Sequence, residues 1–289
     1  MKQLSGHTQP FAVLGHPIGH TLSPVMHNAA MRALGMDAIY VAFDVAPERL
    51  MEVLPAMAAM GFRGVNLTVP LKEEAFRGLR NLDESARLLR AVNTVEFRND
   101  GMRGHNTDGA GFLLALEEAF AAQVKGLSVF VLGCGGAGRA VALTCATCGA
   151  VRIALGDTDG ARAVQVAKEI QALDLPAVAE PVAASPSAWI AASLRSDLVV
   201  QATPIGMKKD DSSVLPSGAF RPGQFAFDLV YMYPETAFMG AARLGGARTA
   251  NGLGMLLHQG AKAFSIWTGK QPPVDVMRQA LQAEVYRSA

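Results

Sequence analysis

The chain has 289 residues, of which 50% are hydrophobic and 18% charged, with a formal net charge of +1. That length exceeds a single small core and suits two domains, each able to bury its own interior. A charge so near zero leaves no electrostatic footprint for nucleic acid or an anionic membrane, and no apolar run approaches the roughly 18 residues that span a bilayer. Met1–Pro10 is polar and lacks the apolar core of a signal peptide. The cysteines, Cys134, Cys145 and Cys148, are odd in number and clustered, which points to reduced thiols and a cytoplasmic location.

In chain order, Phe11–Gly15 reads as a strand, followed by a loop and a helix opening at Ser23-Pro24. Ile39–Phe43 is a second short strand, and Pro47 starts an Ala- and Met-rich helix to about Met60. Arg63–Val69 is a third strand. Val92–Phe97 and Met102–Gly104 flank Asn99-Asp100-Gly101, a hairpin signal, and a helix runs from about Asp108 to Ala122. Leu127–Leu132 is a continuous apolar strand of the kind buried on both faces. Further strands fall at Val151–Leu155, Leu198–Gln201 and Phe225–Val230, with helices between. Helices over Asn251–Trp267 and Val274–Tyr286 close the chain, while Ala177–Ala192 is Ala-rich and weakly defined. Such alternation of strands and helices predicts an α/β fold.

Gly133-Cys134-Gly135-Gly136-Ala137-Gly138 matches G-x-G-x-x-G directly between a predicted strand and a predicted helix. Gly133 suits the tight turn, Gly135 lets backbone approach a pyrophosphate, and Gly138 allows close helix–strand packing. The helix N-terminus attracts the phosphate charge, so the strand–turn–helix context predicts a dinucleotide site. Asp157 follows the next predicted strand. A carboxylate there can accept from adenosine ribose hydroxyls and repels a 2′-phosphate; equally, Asp157 or Asp159 can simply cap the next helix. Arg162 lies one turn into that helix. NAD is therefore expected in preference to NADP, which stays the alternative.

Three polar clusters mark the first part of the chain. In Gly15–Asn28, Thr21 and Ser23 sit on a loop before a helix, where two hydroxyls can bind a carboxylate; Ser23-Pro24 is also an ordinary N-cap signal. In Asn66–Lys72, period-2 alternation puts Asn66 and Thr68 on one strand face, and Lys72 follows a proline break. The third cluster is Asn93-Thr94 with Gly104–Gly109. Asp108 can be a first-turn acid with Thr107 as cap. Paired with Lys72 it gains a chemical role, because a carbonyl that receives hydride needs a proton from a nearby acid. Cys145 and Cys148 form C-x-x-C inside an apolar helical run with no second ligand pair, and the six histidines include no H-E-x-x-H pair. No metal is assigned.

Taken together, these motifs resemble the shikimate dehydrogenase family, including its quinate/shikimate members. The G-x-P-I-x-H-S-x-S-P-x-x-H-N opening falls on Gly15–Asn28, N-x-T-x-P-x-K on Asn66–Lys72, A-V-N-T on Ala91–Thr94 and G-x-N-T-D-x-x-G on Gly104–Gly111. The phosphate loop is Gly133–Ala140, A-T-P-x-G-M is Ala202–Met207, D-x-x-Y is Asp228–Tyr231 and G-L-G-M-L-x-x-Q-G-A is Gly252–Ala261. The resemblance implies Lys72 and Asp108 as the catalytic pair. It implies a substrate pocket of Thr21, Ser23, Asn66, Thr68, Asn93, Asp108, Tyr231 and Gln259. Glu84, Met207 and Gly252 would lie near the nicotinamide, with Gly133, Gly135, Gly136, Ala137, Gly138 and Asp157 holding the rest of the dinucleotide.

The implied architecture is an N-terminal α/β substrate domain (1–115 plus 251–289) and a Rossmann-type doubly wound domain (116–250), the C-terminal helices packing back on the first. The implied reaction is reversible reduction of 3-dehydroshikimate to shikimate in aromatic amino-acid biosynthesis. An NAD-dependent quinate/shikimate dehydrogenase of quinate catabolism is the alternative, and a non-catalytic metabolite sensor a third reading, against which retention of Lys72 and Asp108 argues. The expected partner is a small cyclic hydroxy acid, with no nucleic acid or membrane, and the chain a monomer or homodimer. Four departures from the family pattern stand out: Thr21 for serine, Gly156-Asp157-Thr158 where NADP-using members carry Asn-Arg-Thr, Gln201 for asparagine and Arg90 for glycine.

Overall fold

The computed structural model describes residues 4–286. The polar start at 1–3 and the last residues, 287–289, assigned above to the first domain, lie outside the described residues. The chain divides into two compact units, one running up to Gly111 and resuming at Leu257, the other Phe112–Leu256.

The first unit holds six strands: β1 (Gln9–Gly15), β2 (Ala38–Asp44), β3 (Gly64–Leu67), β4 (Asn81–Leu82), β5 (Thr94–Arg98) and β6 (Gly101–His105). Their order is β2-β1-β3-β5-β6-β4. β1 pairs in parallel with β2 and β3, whereas β5 runs antiparallel to β3 and β6. Phe11–Leu14 of β1 are at most 2% exposed, as a central strand covered on both faces requires. Helices α1 (Ser23–Ala33), α2 (Leu50–Ala59), α3 (Leu71–Gly78) and α4 (Glu84–Leu89) connect the strands, and α5 (Asp108–Phe120) leads out of the unit. The core gathers Leu14, Leu50, Leu54, Leu67, Val92 and Val95. The hairpin falls where Asn-Asp-Gly predicts it, with Gly101 at a φ of +126°. The strand expected over Arg63–Val69 ends at Leu67, and the stretch beyond it, which carries little periodicity, folds into α3 and α4.

The second unit holds β7 (Ser128–Leu132), β8 (Arg152–Gly156), β9 (Val178–Pro181), β10 (Leu198–Gln201), β11 (Phe225–Asp228) and β12 (Arg248–Ala250). All pair in parallel, in the order β12-β11-β10-β7-β8-β9. This is the doubly wound dinucleotide-binding order, whose switch point lies between β7 and β10. Helices α6 (Gly136–Thr147), α7 (Gly160–Gln171), α8 (Pro186–Leu194) and α9 (Ala237–Leu244) serve as crossovers. The weakly defined Ala-rich stretch resolves into β9 and α8, whose start is set by Ser185 accepting from Ala188 N and by Pro186. Two helices finish the chain, α10 (Leu253–Thr268) and α11 (Val274–Val285), and α11 packs on α1. Among the described residues no helix is long and apolar enough to cross a membrane.

Candidate active site

Lys72 is the second residue of α3 and Asp108 the first of α5, and the fold closes the 36 positions between them: Lys72 Nζ donates to Asp108 Oδ2 at 2.7 Å. The side chains are 21% and 9% exposed, so the pair is largely withdrawn from water yet reachable. Asn93, 2% exposed, donates through Nδ2 to Asp108 Oδ1 at 2.8 Å and lies 3.4 Å from Gln259 Oε1 on α10. Its Oδ1 accepts from Thr107 N at 2.8 Å. Thr107 sits at the head of α5, but its hydroxyl serves Asn93, and it is Asn106 Oδ1 that accepts from Asp108 N at 3.0 Å. Asn106 also donates to Ala91 O at 2.9 Å, tying the start of α5 to the end of α4. Sequence reasoning missed this role of Asn106, although it lies inside the quoted motif.

At the start of α1 the N-cap expectation for Ser23 is corrected. Leu22 holds the cap position, and Ser23 is the first helical residue. Thr21 Oγ1 accepts from Ser23 N at 3.3 Å, so the threonine hydroxyl engages the helix start and the Ser23 hydroxyl is spared that duty. Asn66, 5% exposed near the end of β3, donates to Asn93 O at 3.1 Å and Thr94 Oγ1 at 3.0 Å, and accepts from the Tyr40 hydroxyl at 2.7 Å. Thr68 follows β3 with its methyl against Gly15, where any Cβ would lie 2.5 Å from Thr68 Cγ2. Thus Thr21, Ser23, Asn66, Lys72, Asn93, Asp108 and Gln259 belong to one unit, linked by short hydrogen bonds among most of them. Glu84 is an exposed first-turn residue of α4 with Asp83 as cap, away from that network's hydrogen bonds. Arg90 ends α4 at φ 46°, ψ 38°. The left-handed conformation explains why glycine suits this position and arginine departs from it.

In the second unit the glycine turn fits a dinucleotide. Gly133 has a φ of +102°, and a Cβ on Gly138 would lie 1.8 Å from Gly133 O, so neither position accepts a side chain. Among the described residues nothing stands within 4 Å of a Cβ built on Gly135 or Gly136, which leaves the backbone open to a phosphate. α6 begins with no side-chain cap and no acid in its first turn, and Ala137 lies in that turn. Asp157, 8% exposed, does more than either sequence reading foresaw: Oδ2 accepts from Cys134 N at 2.7 Å and Oδ1 from Asp159 N at 2.9 Å. It braces the glycine turn, while the cap of α7 is Asp159, accepting from Ala161 N. Cys134 packs beneath, its thiol pushed up to about 12 by burial and by the Asp157 charge.

The ends of β10 and β11 are joined by a network the sequence left unexplained. Gln201 Nε2 donates to Ile205 O at 2.7 Å and to Asp228 Oδ1 at 3.2 Å, and Gln201 Oε1 accepts from Thr203 N. Asp228, fully buried, also accepts from Val230 N at 2.9 Å and Thr236 Oγ1 at 2.6 Å. Burial pushes its carboxyl up to about 6 against these donors. The network holds the segment carrying Met207, which is exposed, to the segment carrying Tyr231, whose phenol pKa is raised by burial. At Gly252 a Cβ would lie 2.1 Å from Leu229 O, so only glycine lets the head of α10 approach β11 so closely.

One unit with a doubly wound sheet and an open glycine turn, and another α/β unit built around an ammonium–carboxylate pair, are the equipment of a nicotinamide-dependent dehydrogenase. Residues 13–95 match the shikimate dehydrogenase substrate binding domain, and residues 252–282 the shikimate 5′-dehydrogenase C-terminal domain. The chain is 43% identical to a shikimate dehydrogenase (NADP(+)) of Moorella thermoacetica, over 98% of this chain and 95% of that one. It is similar to the crystal structure of shikimate 5-dehydrogenase from Listeria monocytogenes in complex with shikimate and NAD, with a TM-score of 0.90, 34% identity, and 97% and 99% of the two chains covered. It is also similar to quinate dehydrogenase from Corynebacterium glutamicum in complex with NAD, with a TM-score of 0.86, 32% identity, and 96% and 99% covered. The chain belongs to the shikimate dehydrogenase family.

Proposed function

We propose that this chain catalyses the reversible NAD(P)-linked interconversion of 3-dehydroshikimate and shikimate, as its place in aromatic amino-acid biosynthesis would require. The observation that carries the reading is the Lys72–Asp108 contact at 2.7 Å. When bound, the nicotinamide supplies or takes up the hydride. Lys72 gives its proton to the carbonyl oxygen as that oxygen becomes a hydroxyl, and recovers a proton from solvent. In the oxidative direction the amine accepts the hydroxyl proton. Asp108 keeps the ammonium in place and offers the same charge to a ring hydroxyl. Thr21 and Ser23 hold the carboxylate, Thr68 stands beside them, and Asn66, Asn93, Gln259 and Tyr231 meet the rest of the ring. Gly133–Gly138 and Asp157 hold the adenosine and pyrophosphate, and Glu84, Met207 and Gly252 border the nicotinamide.

For the cofactor we favour NAD. Asp157 sets a negative charge at the glycine turn, where a 2′-phosphate would be repelled. The same residue supports the second reading, an NAD-dependent quinate/shikimate dehydrogenase. The reading takes the cytoplasm as compartment and a small cyclic hydroxy acid as partner. Initial rates of reduced-nicotinamide absorbance with shikimate or quinate, each with NAD or NADP, test all of this. Turnover of shikimate, faster with NAD, is expected; absence of turnover with either acid would overturn the proposal, and faster rates with NADP would overturn the cofactor choice.

A further inference from the structure

Tyr40 sits in the middle of β2 and is 1% exposed. One side chain holds both of its backbone groups: Asn28 Oδ1 accepts from Tyr40 N at 2.9 Å, and Asn28 Nδ2 donates to Tyr40 O at 2.7 Å and to Pro24 O at 2.8 Å. Its ring stacks on His27, with centroids 4.3 Å apart and planes 14° from parallel. His27 is fully buried with no hydrogen-bond partner on either ring nitrogen among the described residues, and burial lowers its pKa to about 3, so a neutral ring backs the tyrosine. With backbone and ring fixed, the hydroxyl is delivered 2.7 Å from Asn66 Oδ1, and it also takes a hydrogen bond from the Ser23 side chain.

Chemistry fixes the polarity of that contact. A backbone carbonyl can only accept, so Asn66 must turn Nδ2 toward Asn93 O, and Thr94 Oγ1 takes the second N–H. Asn66 Oδ1 therefore faces Tyr40, and the phenol donates. Both N–H groups of Asn66 are spent inside the protein, together with one of the two acceptor sites on its oxygen. What remains for a ligand is one acceptor site. It suits a hydroxyl, which can donate, and offers nothing to a carbonyl or an ether.

We infer that Tyr40 is a positioning residue for substrate specificity: it locks Asn66 as an acceptor-only group, so that the site demands a donating hydroxyl on the ring. The inference rests on the proposed function, because it takes Asn66 to meet a ring hydroxyl. No motif marks Tyr40, whose contacts arise because α1 packs on β2 and because β2 and β3 flank β1.

Tyr40→Phe deletes one oxygen and keeps the stacked ring. In steady-state assays with shikimate, KM is expected to rise about 10-fold with kcat within about twofold, because a contact equal in ground and transition states affects binding alone. In an Asn66→Ala background, adding Tyr40→Phe should raise KM far less than in the wild type, leaving only what passes through Ser23. An unchanged KM in the single variant, or effects of the two substitutions that simply add, would overturn the inference.

A second readout needs no Tyr40 variant. At the ring position where removing the hydroxyl abolishes the response to Asn66→Ala, a fluoro analogue accepts but cannot donate. It should bind the wild-type protein no better than the deoxy analogue; tighter binding, by about 10-fold, would also overturn the inference. A wild-type protein without shikimate turnover would instead sink the proposed function, so the two failures are distinguishable.

Discussion

Asn93 Nδ2 donates to Asp108 Oδ1 at 2.8 Å, on the oxygen opposite the one that Lys72 holds at 2.7 Å. The carboxylate is gripped from both sides, and the same asparagine fixes Thr107 at the head of α5 through Oδ1. Asn93→Leu keeps the volume but leaves a buried amide and a carboxylate oxygen short of partners. The expected cost is about 1–3 kcal/mol of stability, with kcat lowered by about 10- to 100-fold. Thermal unfolding and initial rates check this; a variant with unchanged kcat would show that Asp108 needs no second partner.

Asp157 joins structural and selective roles. Because Oδ2 accepts from Cys134 N, Asp157→Ala should loosen the glycine turn and lower Tm. Asp157→Asn keeps an acceptor and removes the charge. The ratio of kcat/KM for NAD over NADP should then fall by about 10-fold, roughly 1.4 kcal/mol, at nearly unchanged Tm. A ratio that does not move would separate Asp157 from cofactor choice.

Asp228 carries a pH signature. Burial raises its carboxyl from 3.8 to about 6, so the folded protein binds this proton more tightly than the unfolded chain. Its contribution is present in full below pH 3.8 and is lost as pH rises through about 6. The change is on the order of 2–3 kcal/mol. Tm of the wild type relative to Asp228→Asn should therefore be most favourable near pH 4 and fall toward pH 7. A difference in Tm that is constant across that range would contradict the buried-carboxylate account.

Arg90 closes α4 in the left-handed region, at φ 46°, with its side chain exposed. Left-handed backbone costs an L-residue about 1–2 kcal/mol, part of which glycine returns by its freedom in the unfolded chain. Arg90→Gly should stabilise by about 0.5–1 kcal/mol and raise Tm by a few degrees without changing KM. Lower stability would mean that the arginine side chain makes a compensating contact.

Much of this was legible from the chain. The apolar strands β1, β7 and β10, the hairpin and the glycine turn each carry a local signal strong enough to survive folding. Lys72 and Asp108 were legible as a pair because each sits beside a break, a proline in one case and an Asn-Thr turn in the other. The failures are tertiary. Ser23-Pro24 is an ordinary cap signal, but the Thr21 hydroxyl takes the Ser23 N–H and moves the cap to Leu22. The Tyr40, Asn28 and Asn106 roles depend on neighbours brought from other strands and helices, which no periodicity encodes. Gln201 is only a departure from asparagine in the sequence, and its role comes once β10 and β11 lie side by side and its longer arm reaches both Ile205 O and Asp228.

The central claim is that the Lys72 ammonium moves the proton while Asp108 holds it in place. Lys72→Ala, assayed with shikimate at saturating cofactor and titrated with shikimate for affinity, tests it most directly. The account predicts a fall in kcat of about 10²–10⁴-fold with shikimate affinity near that of the wild type. A Lys72→Ala protein that turns over shikimate at the wild-type rate would contradict it.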